Sequence, residues 1–232
     1  MVIRVCGLQR SGTNYLFSLL KQNLEGTKYE LSSHAKHRRL FTYEEFKKQY
    51  FTDLKKHRVN PTIEQKGLIT AKQHISTMDD FLKHMGAKNG DIFLYTIKAP
   101  HHWISSYHYS GLSGGASYWQ MIYEYELFLE KLLLVKSQDK NKKIICNSYD
   151  YICTYPEDYL KNIAIMLNIN IKAVGLKPNT KVPMSLNFDR KENYKKIQDK
   201  FIYDRTYKEQ REYIKLFLEP LYIETTRYYL NY

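Results

Sequence analysis

A β-branched run, Val2-Ile3-Arg4-Val5-Cys6, stops at Gly7, and apolar residues (Leu16, Leu19, Leu20) then recur at helical spacing between Thr13 and Leu24. Strand, glycine-bearing loop and helix in that order leave few folds open. The loop Gly7-Leu8-Gln9-Arg10-Ser11-Gly12-Thr13-Asn14 aims successive backbone N–H groups and the positive end of a helix at one point, an anion site made by geometry. The alternation then repeats. Tyr29 to Ser32 reads as a short strand, Tyr43 to Leu54 as a helix, Leu68 to Lys72 as a strand, and a helix follows Ser76-Thr77-Met78-Asp79. Ile92 to Lys98 is a strong strand, and Pro100 stands where a helix would begin, a position that loses nothing from its missing N–H. A long helix from Tyr118 to Val135, a strand from Lys143 to Cys146 and a helix from Asp158 to Leu167 complete the pattern, with helices again at Lys191 to Phe201 and Tyr207 to Tyr229. This alternation predicts an α/β fold of three layers, a mostly parallel central sheet flanked by helices.

With 232 residues, 43% of them hydrophobic, the chain can bury one sizeable core, and no Gly/Pro-rich linker divides it. We expect a single domain over 1–232, with 36–66 as an acceptor-side insertion and 185–232 as a helical C-terminal segment. No apolar run approaches the roughly 20 residues of a membrane span. Met1 to Val5 has no basic segment followed by an apolar one, so no secretory leader is read and the expected location is cytoplasmic. Three cysteines (Cys6, Cys146, Cys153) without metal-ligand spacing read as buried thiols. The formal charge of +12 asks for an anionic partner, and it is concentrated at 36–66 (+5), 136–143 (+3) and 190–215 (+4). Nucleic acid, a phosphate-bearing nucleotide and an acidic polysaccharide all satisfy that charge.

The loop separates these classes. A nucleoside-triphosphatase loop reads G-x-x-x-x-G-K-[ST], whereas Thr13 holds the lysine position here and the cation stands ahead of Gly12, at Arg10. That arrangement counts against ATP or GTP hydrolysis. Arg10-Ser11-Gly12-Thr13-Asn14-Tyr15-Leu16 resembles the 5′-phosphosulfate loop of sulfotransferases, [KR]-[ST]-G-T-[TN]-[WY]-L, whose donor is 3′-phosphoadenosine 5′-phosphosulfate (PAPS). The family's second signature is a basic residue at a strand end with a serine eight positions on, which together hold the 3′-phosphate. Lys98 and Ser106, within Lys98-Ala99-Pro100-His101-His102-Trp103-Ile104-Ser105-Ser106-Tyr107, match it, with lysine in place of the usual arginine fork. Ile144 to Tyr151 followed by Tyr155-Pro156-Glu157 resembles the family's late strand and the helix after it, and Trp119 with Tyr123 its central helix.

The resemblance implies a P-loop-like sulfotransferase fold. It further implies that Arg10, Ser11, Gly12, Thr13, Asn14, Tyr15, Lys98 and Ser106 hold PAPS or its product, adenosine 3′,5′-bisphosphate, with Arg190 and Lys191 closing over the nucleotide. Sulfuryl transfer then needs positioning, neutralisation of charge on the leaving oxygen by Arg10, and a base. No metal is expected, since the eight histidines form no H-E-x-x-H or comparable set. Two histidines compete as base. His37 lies 27 residues after Arg10, just past the second strand; His74 lies 64 after Arg10 and 24 before Lys98, has Lys72 two positions before it, and fits the spacing slightly better. His101 and His102 read as first-turn helix residues. The expected acceptor is a hydroxyl or amine of a carbohydrate or small molecule. The competing readings are a nucleotide or sugar kinase with a modified phosphate loop, a basic nucleic-acid-binding protein, and a sulfotransferase-like chain without activity. Nucleic acid is not expected as a partner, because no recognition motif accompanies the charge.

Overall fold

The structure is a computed structural model that describes residues 2–26, 28–30, 37–57, 71–88, 90–109, 116–141, 143–172 and 207–227, with 51–57 and 109 as backbone. Four parallel strands, β1 (Val2–Cys6), β2 (Lys28–Glu30), β3 (Asp91–Ile97) and β4 (Ile144–Ser148), form one sheet in the order β2-β1-β3-β4. Ile3 lies beside Tyr29, Cys6 beside Tyr95 and Ile97 beside Ser148. In β3 every residue but Ile92 is buried, as a strand covered on both faces requires. Its alternate side chains divide the core. Phe93, Tyr95 and Ile97 join one apolar cluster; Leu94 joins the other, with Ile3, Val5 and Ile145. The chain is α/β with helices on both faces of a parallel sheet.

Helices α1 (Thr13–Asn23) and α7 (Pro156–Leu167) cover the Leu94 face through Leu16, Leu19, Leu20, Leu160 and Ile163. The opposite face is covered by α2 (Tyr43–His57), α3 (Met78–Met85), α4 (Pro100–Tyr109) and α5 (Tyr118–Ser137). Local chemistry starts them where expected: Thr77 and Asp80 form a reciprocal capping box on α3, and the Ser117 hydroxyl accepts from the Gln120 N–H at the start of α5. Ser148 caps a short helix, α6 (Tyr149–Thr154), which the sequence pattern does not reveal. The C-terminal helix runs as Lys208–Tyr213, a π turn at Ile214–Leu218 and Glu219–Thr226. The wide turn ends just before Pro220, which has no N–H to give and whose ring crowds the carbonyl four residues back.

Of the strand expected at Leu68 to Lys72, residues 68–70 lie outside the described residues, and Ala71 makes a parallel bridge to Thr42. The helix expected at Lys191 to Phe201 lies outside the described residues. Cys6 and Cys146 are buried, Cys153 is half-buried, and all three are free thiols. Among the described residues no helix is long and apolar enough to cross a membrane.

α5 is buried nearly all round, so its buried charged residues, Glu124, Glu126 and Lys131, need partners inside. Each has one: Glu124 pairs with Arg39 at 2.5 Å, Glu126 accepts from the Tyr213 hydroxyl at 2.8 Å, and Lys131 pairs with Glu45 at 2.6 Å. Leu94, fully buried at the centre of the sheet, measures the packing of the opposite layer. Leu94→Ala is expected to lose about 2–5 kcal/mol in urea unfolding, because the parallel strands on either side cannot collapse onto the space left behind.

Candidate functional site

The strand order reverses direction between β1 and β3, since the chain moves from β1 outward to β2 and then back across to β3 and β4. In open parallel sheets the crevice at such a reversal, beyond the carboxyl ends of the strands, is where ligands are held. The loop after β1, Lys98 after β3 and Tyr149 after β4 all meet there. The loop is tightly specified. Gly7 passes so close to β3 that a Cβ would stand 2.6 Å from the Thr96 carbonyl oxygen and against the Ser11 hydroxyl. Gly12 caps α1 with φ +95°, and a Cβ there would run into the Tyr149 ring. Arg10 adopts φ +69°, unusual for a residue with a side chain and a mark of a constrained turn.

Hydrogen bonds hold this shape. The Ser11 N–H and hydroxyl both donate to the Leu8 carbonyl, at 3.1 and 2.7 Å, and the Thr96 hydroxyl donates to the Ser11 carbonyl at 3.0 Å. The indole N–H of Trp103 on α4 donates to the Gln9 carbonyl at 2.8 Å. The Tyr15 and Leu16 N–H groups turn back onto the Gly12 carbonyl, so the N–H groups of Gly12, Thr13 and Asn14 belong to no bond within α1. Ser11 and Thr13 are buried, Tyr15 is half-buried, and Asn14 is exposed at the mouth.

Lys98 stands beside the loop, only 6% exposed, with its ammonium 4.7 Å from the centre of the Tyr149 ring. Burial lowers its pKa to about 8; the neighbouring Asp150 carboxylate pulls it up and the Arg10 guanidinium pulls it further down. Asp150 accepts from the Ala99 N–H at 3.1 Å and from His102 Nδ1 at 2.8 Å. Burial would raise the Asp150 carboxyl, but the His102 hydrogen bond and charge, the Ala99 N–H and Lys98 together hold it below its ordinary value. Ser106 is buried on the second turn of α4. His101 and His102 are first-turn residues of α4, and His101 pairs with Glu219 at 3.1 Å.

The two histidines weighed as base stand in different places. His37 Nδ1 lies 2.8 Å from the Gly7 carbonyl oxygen, at the rim of the loop. A carbonyl can only accept, so Nδ1 carries the hydrogen and Nε2 is the basic nitrogen of the neutral ring. His74 Nδ1 instead donates to Glu45 at 2.6 Å, with the Lys131 ammonium 3.3 Å away, and its side chain is 60% exposed. Lys131 lies on α5 six residues beyond Tyr125, whose hydroxyl donates to the Lys98 carbonyl at 2.7 Å. At 1.5 Å of rise per residue, that step is about 9 Å along the axis, away from the carboxyl ends of the strands. The geometry thus gathers Arg10, Ser11, Gly12, Thr13, Asn14, Tyr15, Lys98 and His37 around one crevice and leaves His74 with a separate charged cluster. Arg190 and Lys191 lie outside the described residues. Tyr149, Asp150 and Arg39 were not singled out by the sequence; only the Tyr149-Asp150 dipeptide after a strand carried any signal.

Gly12→Ala introduces both a strained φ and a collision with Tyr149. It is expected to cost roughly 1–3 kcal/mol in thermal unfolding and to abolish anion binding at the loop, whereas Gly26→Ala, where a Cβ meets open space, leaves binding unchanged.

No family model matches the chain, and no curated protein matches it. Among solved structures the chain is similar to the sulfotransferase domain from the curacin biosynthetic pathway, at 13% sequence identity over 75% of this chain and 75% of that one, with a TM-score of 0.44.

Proposed function

We propose that the chain is a sulfotransferase that takes a sulfuryl group from PAPS and transfers it to a hydroxyl or amine of a carbohydrate or small molecule, with His37 as the base. The observation that carries this reading is the hydrogen bond from His37 Nδ1 to Gly7, which brings an imidazole to the rim of a phosphate-type loop that lacks the lysine of a triphosphatase. The residues fit such a donor. Gly7 and Gly12 leave no side chain in the cradle, N–H groups at the start of α1 suit a 5′-phosphate, and a buried lysine suits a second phosphate. The Ser11 N–H bonds within the loop, so Gly12, Thr13 and Asn14 are the backbone donors of this reading.

Each group has a defined task. Arg10 neutralises charge on the oxygen that leaves. Lys98 and Ser106 bind the 3′-phosphate, and Lys98 is kept cationic by Asp150 and by the phosphate itself. His37 Nε2 takes the proton of the acceptor, the Nδ1 bond having set the tautomer. The acceptor stays described by class, as a nucleophilic hydroxyl or amine.

Adenosine 3′,5′-bisphosphate at about 100 times its Kd is expected to add roughly 2.7 kcal/mol of stability, a Tm rise on the order of 5–10 °C. No shift with folded protein, together with a shift by ATP and magnesium, would replace this reading with a kinase. His37→Asn is expected to lower kcat by about 10²–10⁴ with bisphosphate binding intact, while His74→Asn changes kcat little. The reverse result would move the base to His74.

The pH dependence of binding has a definite sign. Phosphate favours the ammonium, and above about 8 the free protein loses the Lys98 proton that the complex retains. Bisphosphate affinity, followed by calorimetry, is therefore expected to hold steady from neutrality to that point and then to fall by up to ~10-fold per pH unit. Lys98→Arg, charged throughout, removes the fall, and a slope that persists in it would exclude Lys98 as the titrating group.

A further inference from the structure

Arg39 is 1% exposed and Glu124 2% exposed, and neither belongs to the loop or to its phosphate-binding neighbours. They form an ion pair in which Arg39 Nε and Nη2 both donate to one oxygen, Glu124 Oε1, at 2.7 and 2.5 Å. The remaining guanidinium nitrogen, Nη1, donates to the His37 backbone carbonyl at 3.3 Å. Nη2 also faces the Tyr107 hydroxyl at 3.4 Å. Tyr107 stacks on Trp103 with ring centres 4.9 Å apart, and Trp103 holds Gln9 of the loop. One buried charge pair therefore reaches both the base and the loop it faces.

A buried ion pair is poor evidence for stability, because well-packed apolar residues of similar volume often do as well or better. What such a pair supplies is direction. A planar guanidinium, held through two of its nitrogens on one Glu124 oxygen, offers the third nitrogen, Nη1, in a set direction, and that nitrogen meets His37. We infer that Arg39 and Glu124 are positioning residues that hold His37 in register with Gly7, so that Nδ1 remains the protonated nitrogen and Nε2 the basic one. The inference rests on the reading of His37 as base, although the arrangement it describes is measurable without turnover. Arg39 acts through the backbone of His37, and Glu124 acts through Arg39.

Nitrogen-15 histidine spectra of the full chain test this directly, with the His37 signals identified by their loss in His37→Asn. The wild type is expected to show His37 as the Nδ1–H tautomer. Arg39→Lys, which keeps the charge but cannot span Glu124 and His37 together, is expected to shift the ring toward the Nε2–H tautomer that free imidazole prefers. Should a lone charge unfold that variant, the double replacement Arg39→Met with Glu124→Leu removes both charges and leaves a packed core. It is expected to fold, to bind adenosine 3′,5′-bisphosphate within about threefold of wild type, and to lose the Nδ1–H tautomer. His37 retaining the wild-type tautomer in a folded variant would overturn the inference. That result leaves the proposed base standing, whereas an unaltered kcat in His37→Asn removes the base and leaves the positioning intact.

Discussion

The parallel pairing of β1 with β3 sets everything at the carboxyl edge of the sheet. Because Cys6 lies beside Tyr95, the next residue on β1 arrives against the Thr96 carbonyl, where only a glycine fits. The loop must therefore leave the sheet at Gly7, close on itself through Leu8 and Ser11, and enter α1 at Gly12 against the Tyr149 ring. A one-residue slip in the register would place side chains where the loop has none and turn alternate core residues of β3 to the wrong face. Glycine positions, loop shape and core division follow from that one alignment.

Much of this was legible because it is local. The period of two in the strands, the period near 3.6 in α1 and α7, and the helix starts at Thr77 and Pro100 all act within a few residues of where they are read. α6 was not legible, since six residues are too few for a helical period; the hydroxyl of Ser148, bonded to the Tyr151 N–H at 3.1 Å, is what starts it. The bridge of Ala71 to Thr42 likewise depends on a partner far away in sequence.

The two candidate histidines show the limit most clearly. His74 had the better-matched spacing, yet spacing along the chain does not say which helix a side chain will pair with. Glu45 on α2 and Lys131 on α5 hold it, and both lie far from it in sequence. His37 had only its place after the second strand, and its bond to Gly7 joins residues 30 apart. The Arg39–Glu124 pair spans 85 residues and left no local trace, because one arginine of a basic stretch and one glutamate of a largely apolar helix each look ordinary until they are packed together.

The three thiols bear on how the protein can be handled. Burial raises Cys6 and Cys146 to about 12 and Cys153 to about 11, and the thiolate is the species that reacts. At neutral pH all three thiols are therefore held further from the thiolate than an ordinary exposed cysteine. The native thiols are thus expected to react slowly with alkylating reagents at neutral pH. A single cysteine placed on the surface would carry a fluorophore or spin label selectively, without removal of the native three.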